Sequence, residues 1–143
     1  MQIKHILVEK GREVVTVGSE ATLSEAARIM ARRRIGAVVV RGNDGAISGI
    51  LSERDVVRAI ADASVAALAH TVGAHMTRMV TTCAECDSVE DLMETMTRGR
   101  FRHVPVVDDD RLVGIVSLGD VVKTRVVETI READSLRDYI AAR

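Results

Sequence analysis

The chain has 143 residues, of which 47% are hydrophobic, so it is long enough for one compact domain or for two small halves that share a core. Its 20 basic and 21 acidic residues give a net charge of −1, which excludes a global electrostatic attraction to nucleic acid or to an acidic membrane. One Phe, one Tyr and no Trp cannot supply the aromatic platforms on which single-strand binders stack bases, so a planar ligand would lie between aliphatic side chains and peptide edges.

The N-terminal residues lack the apolar run of a secretory signal, and no stretch reaches the roughly 18 to 20 apolar residues that cross a bilayer. We therefore expect a cytoplasmic protein without a membrane partner. Cys83 and Cys86 form a lone Cys-x-x-Cys pair, and in a reducing compartment both are expected to be free thiols. A redox pair, or a metal site completed by His70 or His75, is the lesser alternative because the spacing does not supply four well-placed zinc ligands.

The first half of the chain predicts, in order, an apolar opening segment, a brief extended stretch, a helix and the two strands of a hairpin. These segments cover residues 3–8, 14–17, 22–34, 37–40 and 47–51. The helix is indicated by the capping box of Thr22 and Glu25, by apolar residues at intervals of three and four, and by a closing run of arginines. The first hairpin strand is a continuous apolar run, which is typical of a strand covered on both faces.

A seven-residue segment, Gly-Ile-Leu-Ser-Glu-Arg-Asp at residues 49–55, joins the returning strand to the next helix. Ser52 and Asp55 are expected to lie together at the N-terminus of that helix. Ser-x-x-Asp is also an ordinary capping pair, in which the hydroxyl and the carboxylate satisfy backbone N–H groups. The local pattern alone therefore favours a structural role.

The second half repeats the same order after an alanine-rich connector at residues 63–70. Leu23 aligns with Val89 at an offset of 66, and Ser52 aligns with Ser117 at an offset of 65. The repeat begins with an opening segment at residues 71–76, an extended stretch at 79–82 and a capping box at 88–91. Two strands follow at 101–107 and 112–116, joined by a turn at 108–110, and the seven-residue segment recurs at 114–120. Agreement across so many elements is more specific than any short motif. The tail from residue 126 to 143 predicts one more helix, suited to a subunit interface or to one end of the core.

With its halves aligned, the chain resembles a pair of CBS domains, also called a Bateman module, over about residues 2 to 126. The likeness is carried by residues 49–55, 71–76, 101–108 and 114–120. The chain is also similar to the small stand-alone bacterial members of that family. The resemblance implies an α/β (α+β) fold of tandem β-α-β-β-α repeats with pseudo-twofold symmetry, in which two small packed sheets are flanked by helices. The expected parts are a first motif, a connector, a second motif and a C-terminal helix, at residues 2–62, 63–70, 71–126 and 127–143.

The same resemblance implies two clefts between the halves that bind adenosine-containing ligands: AMP, ADP, ATP, S-adenosylmethionine or NAD(H), with no cofactor required. A carboxylate at a helix start can accept both hydroxyl protons of a ribose, and the serine lies beside N–H groups that stabilise a phosphate. In each cleft one half supplies this Ser/Asp end and the other half supplies the adenine slot. The first cleft is expected to contain Ser52, Arg54, Asp55, Thr71, Met76, Phe101 and Arg102. The second is expected to contain Ser117, Asp120, Ile3, Ile35, Gly36 and Ala37.

Arg54, Arg102 and His103 are the candidates for phosphate contact, with arginine preferred for its forked donors. Solvated surface charge is the alternative for the two arginines. The first half has Gly36 and Ala37 at the positions of Arg102 and His103, so the cationic groups belong unevenly to the two clefts. We therefore predict non-equivalent sites, one for a strongly anionic ligand and the other for a less charged or larger ligand such as a dinucleotide.

The sequence shows no Ser/His/Asp arrangement, no paired catalytic carboxylates and no phosphate loop of the Gly-x4-Gly-Lys type. The acidic run at residues 108–110 is expected to be a solvated turn, so no resident metal is predicted. The predicted function is a non-catalytic regulatory module, of the energy-sensing kind, that forms a homodimer and signals to an unidentified protein by conformational change. The alternative is a scaffold dimer whose clefts are vestigial and whose terminal helix is the working surface.

Overall fold

Helices and two strand hairpins make up the fold of residues 1–142, which are the residues described by the computed structural model. The α-helices are α1 Ile3–Lys10, α2 Leu23–Arg33, α3 Glu53–Ala63, α4 Val72–His75, α5 Val89–Gly99 and α6 Leu118–Ala141, with a short 3₁₀ helix at Ser64–Ala69. The strands are β1 Thr16–Gly18, β2 Ala37–Arg41, β3 Ile47–Ser52, β4 His103–Asp108 and β5 Arg111–Ser117. The connector expected at 63–70 is therefore largely 3₁₀-helical, and the last residue of the predicted tail, Arg143, lies outside the described residues.

Two small sheets form the centre of the two halves. In the first sheet β1 pairs with β2 in parallel and β2 pairs with β3 in an antiparallel hairpin. In the second sheet β4 and β5 form the matching hairpin, whose tight turn at Asp109 and Asp110 has φ values of 47° and 60°. Each predicted hairpin is present, and the second begins two residues later than expected, at His103.

The second repeat has only a remnant of the first strand. The extended stretch predicted at residues 79–82 forms no strand; instead Cys83 makes a single parallel bridge with Val106. Thr77 exchanges two backbone hydrogen bonds with Ile50 of the first half, at 3.0 and 2.9 Å. The chain after Thr77 consequently passes from the first sheet to the second, where it can border a space between the halves.

The opening segments are exchanged between the two cores. Ile3 and Leu7 of α1 are buried in the core of the second half, and Val72 of α4 is buried in the core of the first half. A Cβ atom added at Gly114 would lie 2.6 Å from Leu7 Cδ2, and one added at Gly49 would lie 2.6 Å from Met76 Sδ. The glycine of each seven-residue segment therefore gives room for the opening segment of the opposite half.

The capping residues begin the helices largely as the sequence predicts. Reciprocal capping boxes are formed at the starts of α2, α3 and α6. At α5 the Ser88 hydroxyl accepts a hydrogen bond from the Asp91 N–H at 3.0 Å, which is one half of the expected box. Side-chain oxygens thus satisfy N–H groups that a helix leaves unpaired at its N-terminus.

The predicted terminal helix is not a separate element. Helix α6 runs without a break from Leu118 to Ala141, because the sequence after Gly119 contains neither glycine nor proline to end it. All residues from 129 to 142 are exposed. No helix within residues 1–142 is both long enough and apolar enough to span a membrane.

Candidate ligand-binding clefts

The larger of two cavities that open beside a capping box is the Asp55 cleft, with a volume of about 810 Å³. Its walls come from three stretches: the start of α3, the segment after Thr77, and the approach to β4. The lining residues fall within 50–58, 77–81 and 99–103, together with Gly36. Both halves thus contribute walls, and a volume of this size lies within the usual range of small-molecule sites, roughly 300 to 1,000 Å³.

Asp55 is held at the entrance of α3 by the serine that precedes it. Asp55 Oδ2 accepts hydrogen bonds from the Ser52 N–H at 2.8 Å and from the Ser52 hydroxyl at 3.1 Å. Within residues 1–142, both hydrogen bonds of this carboxylate go to Oδ2. The Oδ1 atom therefore remains available to a ligand in the cleft.

The Asp55 cleft is strongly cationic. Arg54 reaches from α3 across the cleft, and its Nη1 donates to the Arg100 carbonyl at 3.4 Å. Arg100 ends α5 in the left-handed conformation, with φ 56°, and this turns the chain into the cleft. The charged side chains among the lining residues are four arginines against two carboxylates, namely Arg54, Arg58, Arg100, Arg102, Glu53 and Asp55. Such an excess of forked donors suits an anion with several oxygens.

The second cavity, the Asp120 cleft, is smaller, with a volume of about 330 Å³. Lys10 Nζ donates to Asp120 Oδ2 at 2.6 Å and to the Ile115 carbonyl at 3.0 Å. The Ser117 N–H donates to the same carboxylate oxygen at 2.8 Å. The charged side chains of this cleft, apart from the histidine described below, are balanced: Lys10, Arg34, Glu13 and Asp120.

The ion pair with Lys10 also sets the protonation of Asp120. Burial alone raises the pKa of this carboxyl, but the hydrogen bonds from Lys10 and Ser117 outweigh it, and the pKa lies below its usual value. Asp120 is therefore ionised near neutral pH, with its charge already compensated by an ammonium group. The two clefts thus present their acids differently: Asp55 bonded only by Ser52 within the described chain, and Asp120 bonded by Lys10 as well as by Ser117.

His103 stands between the clefts and lines both cavities. Burial, the largest influence, lowers the pKa of His103; Glu53 raises it and Lys10 lowers it, and the net shift is downward. The ring is thus neutral near pH 7. A Cβ atom added at Gly36 would lie 2.6 Å from Glu53 Oε1 and 3.0 Å from His103 Cε1, so this glycine lets both side chains approach the shared wall.

Most of the predicted site residues come together as expected. The Asp55 cleft contains Ser52, Arg54, Asp55, Phe101, Arg102 and His103. The Asp120 cleft contains Ile35, Gly36, Ala37, Ser117 and Asp120, again with His103. Their role in binding stays a prediction, while their grouping into two cavities follows from the fold.

Three predicted site residues lie elsewhere, which corrects their expected placement. Ile3 is fully buried in the second core. Thr71 forms a backbone bridge with Thr22 at the start of α4, and Met76 packs against the first core beside Gly49. The reason is the exchange of opening segments, because their apolar residues fill the cores and only the residues that follow reach the clefts.

The residues that the sequence interpretation missed are those that follow the opening segments. Lys10 ends α1 and enters the Asp120 cleft, and Thr77 to Thr81 border the Asp55 cleft. The signal was available for Lys10, since it is a cationic residue at the end of a segment already assigned to that cleft.

The cysteines and histidines outside the clefts have local explanations. Burial and the nearby Asp87 raise the pKa of the Cys83 thiol to about 12, so this thiol is protonated and a poor nucleophile. Both cysteines are free, and Cys86 is exposed. His70 and His75 stack, with Nδ1 of the first 2.8 Å from Nε2 of the second. Within residues 1–142, no three His, Cys, Asp or Glu side chains are grouped as a metal site.

Comparison with known proteins agrees with the duplicated architecture. A model of the CBS domain matches residues 4–62 and 72–127. Among curated proteins, a mitochondrial CBS domain-containing protein of Arabidopsis thaliana is 35% identical over 127 residues, which cover 85% of this chain and 61% of that protein. The chain thus spans less than two thirds of the length of this relative.

Solved structures show the same fold. A CBS-domain containing protein of Agrobacterium tumefaciens has a TM-score of 0.85 at 48% identity, covering 87% of this chain and 92% of that chain. The CBS domain pair of protein MJ0100, in complex with 5-methylthioadenosine and S-adenosyl-L-methionine, has a TM-score of 0.80 at 29% identity and covers 90% and 98%. A CBS domain protein of Pyrobaculum aerophilum complexed with AMP has a TM-score of 0.75 at 29% identity and covers 84% and 89%. The predicted α/β fold is confirmed.

Proposed function

Because the chain belongs to the CBS domain family, we propose that it is a regulatory module that binds adenosine-containing ligands in the Asp55 and Asp120 clefts. One observation carries the proposal: each acid lies at a helix N-terminus and faces a cavity walled by both halves. The carboxylate would accept the ribose hydroxyls, while helix N–H groups and arginines would hold phosphates. AMP in one similar structure, and 5-methylthioadenosine with S-adenosyl-L-methionine in another, support this class of ligand.

The Asp55 cleft is proposed to take the more anionic ligands, AMP, ADP or ATP. Its volume is the larger of the two, and four arginines outnumber two carboxylates along its walls. Phe101 offers one apolar ring on the second-half side, although an adenine would otherwise lie against aliphatic side chains and peptide groups. Arg102 and His103 adjoin this ring in sequence, so phosphate and base contacts can come from one short segment.

The Asp120 cleft is proposed to take a less charged or larger ligand, with NAD(H) included. Its charges are balanced and its own volume is small. A neighbouring cavity of about 440 Å³, with mostly apolar walls, shares Arg34, Ile35 and Gly36 with it. A ligand with two ring systems could therefore extend from one cavity into the next.

Signalling is proposed to act through the relative orientation of the two halves. A ligand that contacts both walls of a cleft stabilises the orientations in which both contacts are made, and so shifts that equilibrium. We propose a homodimer that transmits this shift to a protein partner in the cytoplasm, without turnover, a required cofactor, nucleic acid or a membrane.

A scaffold dimer with vestigial clefts is the second candidate, and one observation favours it. The ammonium of Lys10 is already paired with the Asp120 carboxylate, the group that a ribose would need to contact. If this cleft is closed in that way, the exposed apolar residues of α6 would be the working surface.

Thermal unfolding with a panel of AMP, ADP, ATP, NAD, NADH and S-adenosylmethionine separates the two candidates. A ligand present at 100 times its dissociation constant stabilises the folded protein by about 2.7 kcal/mol. We expect Asp55→Ala to abolish the stabilisation by AMP, ADP and ATP, and Asp120→Ala to change the response to the other compounds. Asp62→Ala, an exposed acid on α3, is the matched control. Absence of stabilisation by every compound would support the scaffold, and two identical AMP sites would contradict non-equivalent clefts.

A further inference from the structure

Helix α6 packs on its own domain along its first half, whereas its second half is exposed. Val121 is buried, Arg125 bonds to Glu90 at 3.0 Å, and Glu128 lies 3.7 Å from the N-terminal amine. Beyond Glu128, all described residues to Ala142 are exposed. Residues 129–142 therefore gain no stability from burial against their own domain, and a second surface would add the packing from which most helices in proteins derive their stability.

A regular and largely apolar seam runs along the exposed side of α6. Its six positions are spaced alternately by four and three residues: Val122, Val126, Thr129, Ala133, Leu136 and Ile140. The four large side chains of the seam are between 49% and 63% exposed. Since each residue turns the helix by about 100°, the seam is rotated by about a quarter of a turn from the side that carries Val121 and Glu128. The seam is therefore not the side with which α6 packs on its own domain.

We propose that two copies of this chain pair in parallel through the α6 seam. Spacing of four and three is the pattern by which two helices interlock in a coiled coil, and here it covers nearly three heptads. The second copy is the fitting occupant because it presents the same seam, with the same spacing, along the same length. This inference names the surface and the direction of the homodimer proposed above, and it does not depend on which ligand binds.

Charges beside the seam decide the direction. In a parallel pair, Glu132 of one copy faces Arg137 of the other, and the twofold axis repeats this attractive contact. Glu132 and Arg137 are about 140° apart around their own helix, so they cannot pair within one chain.

The antiparallel alternative places like charges together. With all six seam positions overlapping, Glu132 would face Glu132 of the second copy, and Lys123 would face Arg137 at both ends. Three repulsive contacts would replace two attractive ones. The parallel arrangement is therefore favoured by the sequence that the helix presents.

Disulfide cross-linking tests the direction directly. In the Cys86→Ser background we expect Leu136→Cys and Val126→Cys each to form a covalent dimer of identical chains under mild oxidation. Ser135→Cys, adjacent in sequence but outside the seam, is the control that should stay monomeric on a denaturing gel. If only a mixture of the Val126→Cys and Leu136→Cys proteins cross-links, the helices are antiparallel and the inference is wrong.

Sedimentation of the full chain with exchanged charges gives a second test. We expect Glu132→Arg and Arg137→Glu each to weaken dimerisation about tenfold, and the double variant to restore it. Arg131→Glu, on the outer side of α6, should leave dimerisation unchanged. A monomeric wild-type chain would overturn both the homodimer and this interface. A dimer unaffected by every change in α6 would overturn the interface alone, and ligand binding measured on the same proteins would still test the clefts.

Discussion

The ion pair between Lys10 and Asp120 should control access of a ribose to the Asp120 cleft. Lys10 Nζ lies 2.6 Å from Asp120 Oδ2, and the two side chains are 32% and 23% exposed. A pair that is partly solvated in this way is worth about 1 kcal/mol after screening. A ribose that bonds to this carboxylate must displace the ammonium, so Lys10→Met is expected to raise the affinity of the cleft for adenosine about fivefold.

Calorimetric titration with adenosine in the Asp55→Ala background would measure this change, because the measured heat then comes from binding in the Asp120 cleft alone. Adenosine carries no phosphate, so the loss of a cation from the wall has no direct cost to the ligand. Lys4→Met, an exposed lysine of the same helix, is the matched control. Unchanged or weaker adenosine binding by the Lys10→Met protein would refute the reasoning and would make Lys10 part of the binding site.

The same pair gives a pH-dependent signature in stability. Although burial raises it, the pKa of Asp120 is lowered below 3.8 by the bonds from Lys10 and Ser117. A group with a lower pKa in the folded state stabilises the protein above its unfolded pKa, and this contribution is lost as the pH falls through the folded value. Lys10→Met should therefore cost about 1 kcal/mol in urea unfolding at pH 7, and this cost should shrink as the pH falls below 3.8.

Three further predictions concern the packing glycine and the cationic cleft. Gly49→Ala should destabilise the protein by about 1–3 kcal/mol in urea unfolding, because the added Cβ would lie 2.6 Å from Met76 Sδ and 2.7 Å from the Thr77 carbonyl. The control is Gly18→Ala, whose added Cβ would meet nothing within 4 Å and should cost far less stability. Arg102→Gln should weaken ATP binding but leave adenosine binding nearly unchanged, and the ATP affinity of the wild-type protein should fall with salt. A bound phosphate should raise the lowered pKa of His103, so ATP binding should take up a proton as the pH falls below 6.5, as measured by calorimetry in two buffers, and His103→Gln should abolish that uptake.

Much of the fold could be predicted because its signals are local. The capping box of Thr22 begins α2, and the apolar run before Arg41 forms the central strand of the first sheet. The Asp55 and Asp120 positions were found because the duplication placed two copies of one segment in the same structural context. A repeat tests each assignment twice, which is why these elements were reliable.

The missed features depend on contacts between distant parts of the chain. The exchange of opening segments was expected only from the family resemblance, because the apolar pattern of α1 is the same whichever core it fills. The resemblance did not show that Ile3 would be buried in the second core instead of lining the cleft. Lys10 reaches Asp120 only because α1 packs on the second half, a contact between residues that are 110 positions apart. The continuous α6 is a different case, because the absence of helix-breaking residues after Gly119 could have predicted it.

The Ser-x-x-Asp segment at Ser52 and Asp55 can both cap its helix and bind a ribose, and variants of these two residues can separate the capping role from the binding role. Ser52 bonds to Asp55 Oδ2 through both its N–H and its hydroxyl, so Asp55→Ala removes one half of the capping box together with the carboxylate. Asp55→Asn keeps an oxygen that accepts from the Ser52 N–H, but its amide presents a donor where a ribose hydroxyl also donates. Ser52→Ala weakens the cap, by roughly 0.5–2 kcal/mol, and leaves the carboxylate in place. If the segment binds a ribose, Asp55→Asn should lose AMP affinity with little loss of stability in urea unfolding, and Ser52→Ala should show a larger loss of stability for a smaller loss of affinity. Affinity that simply follows stability across the three variants would leave the segment with its capping role alone.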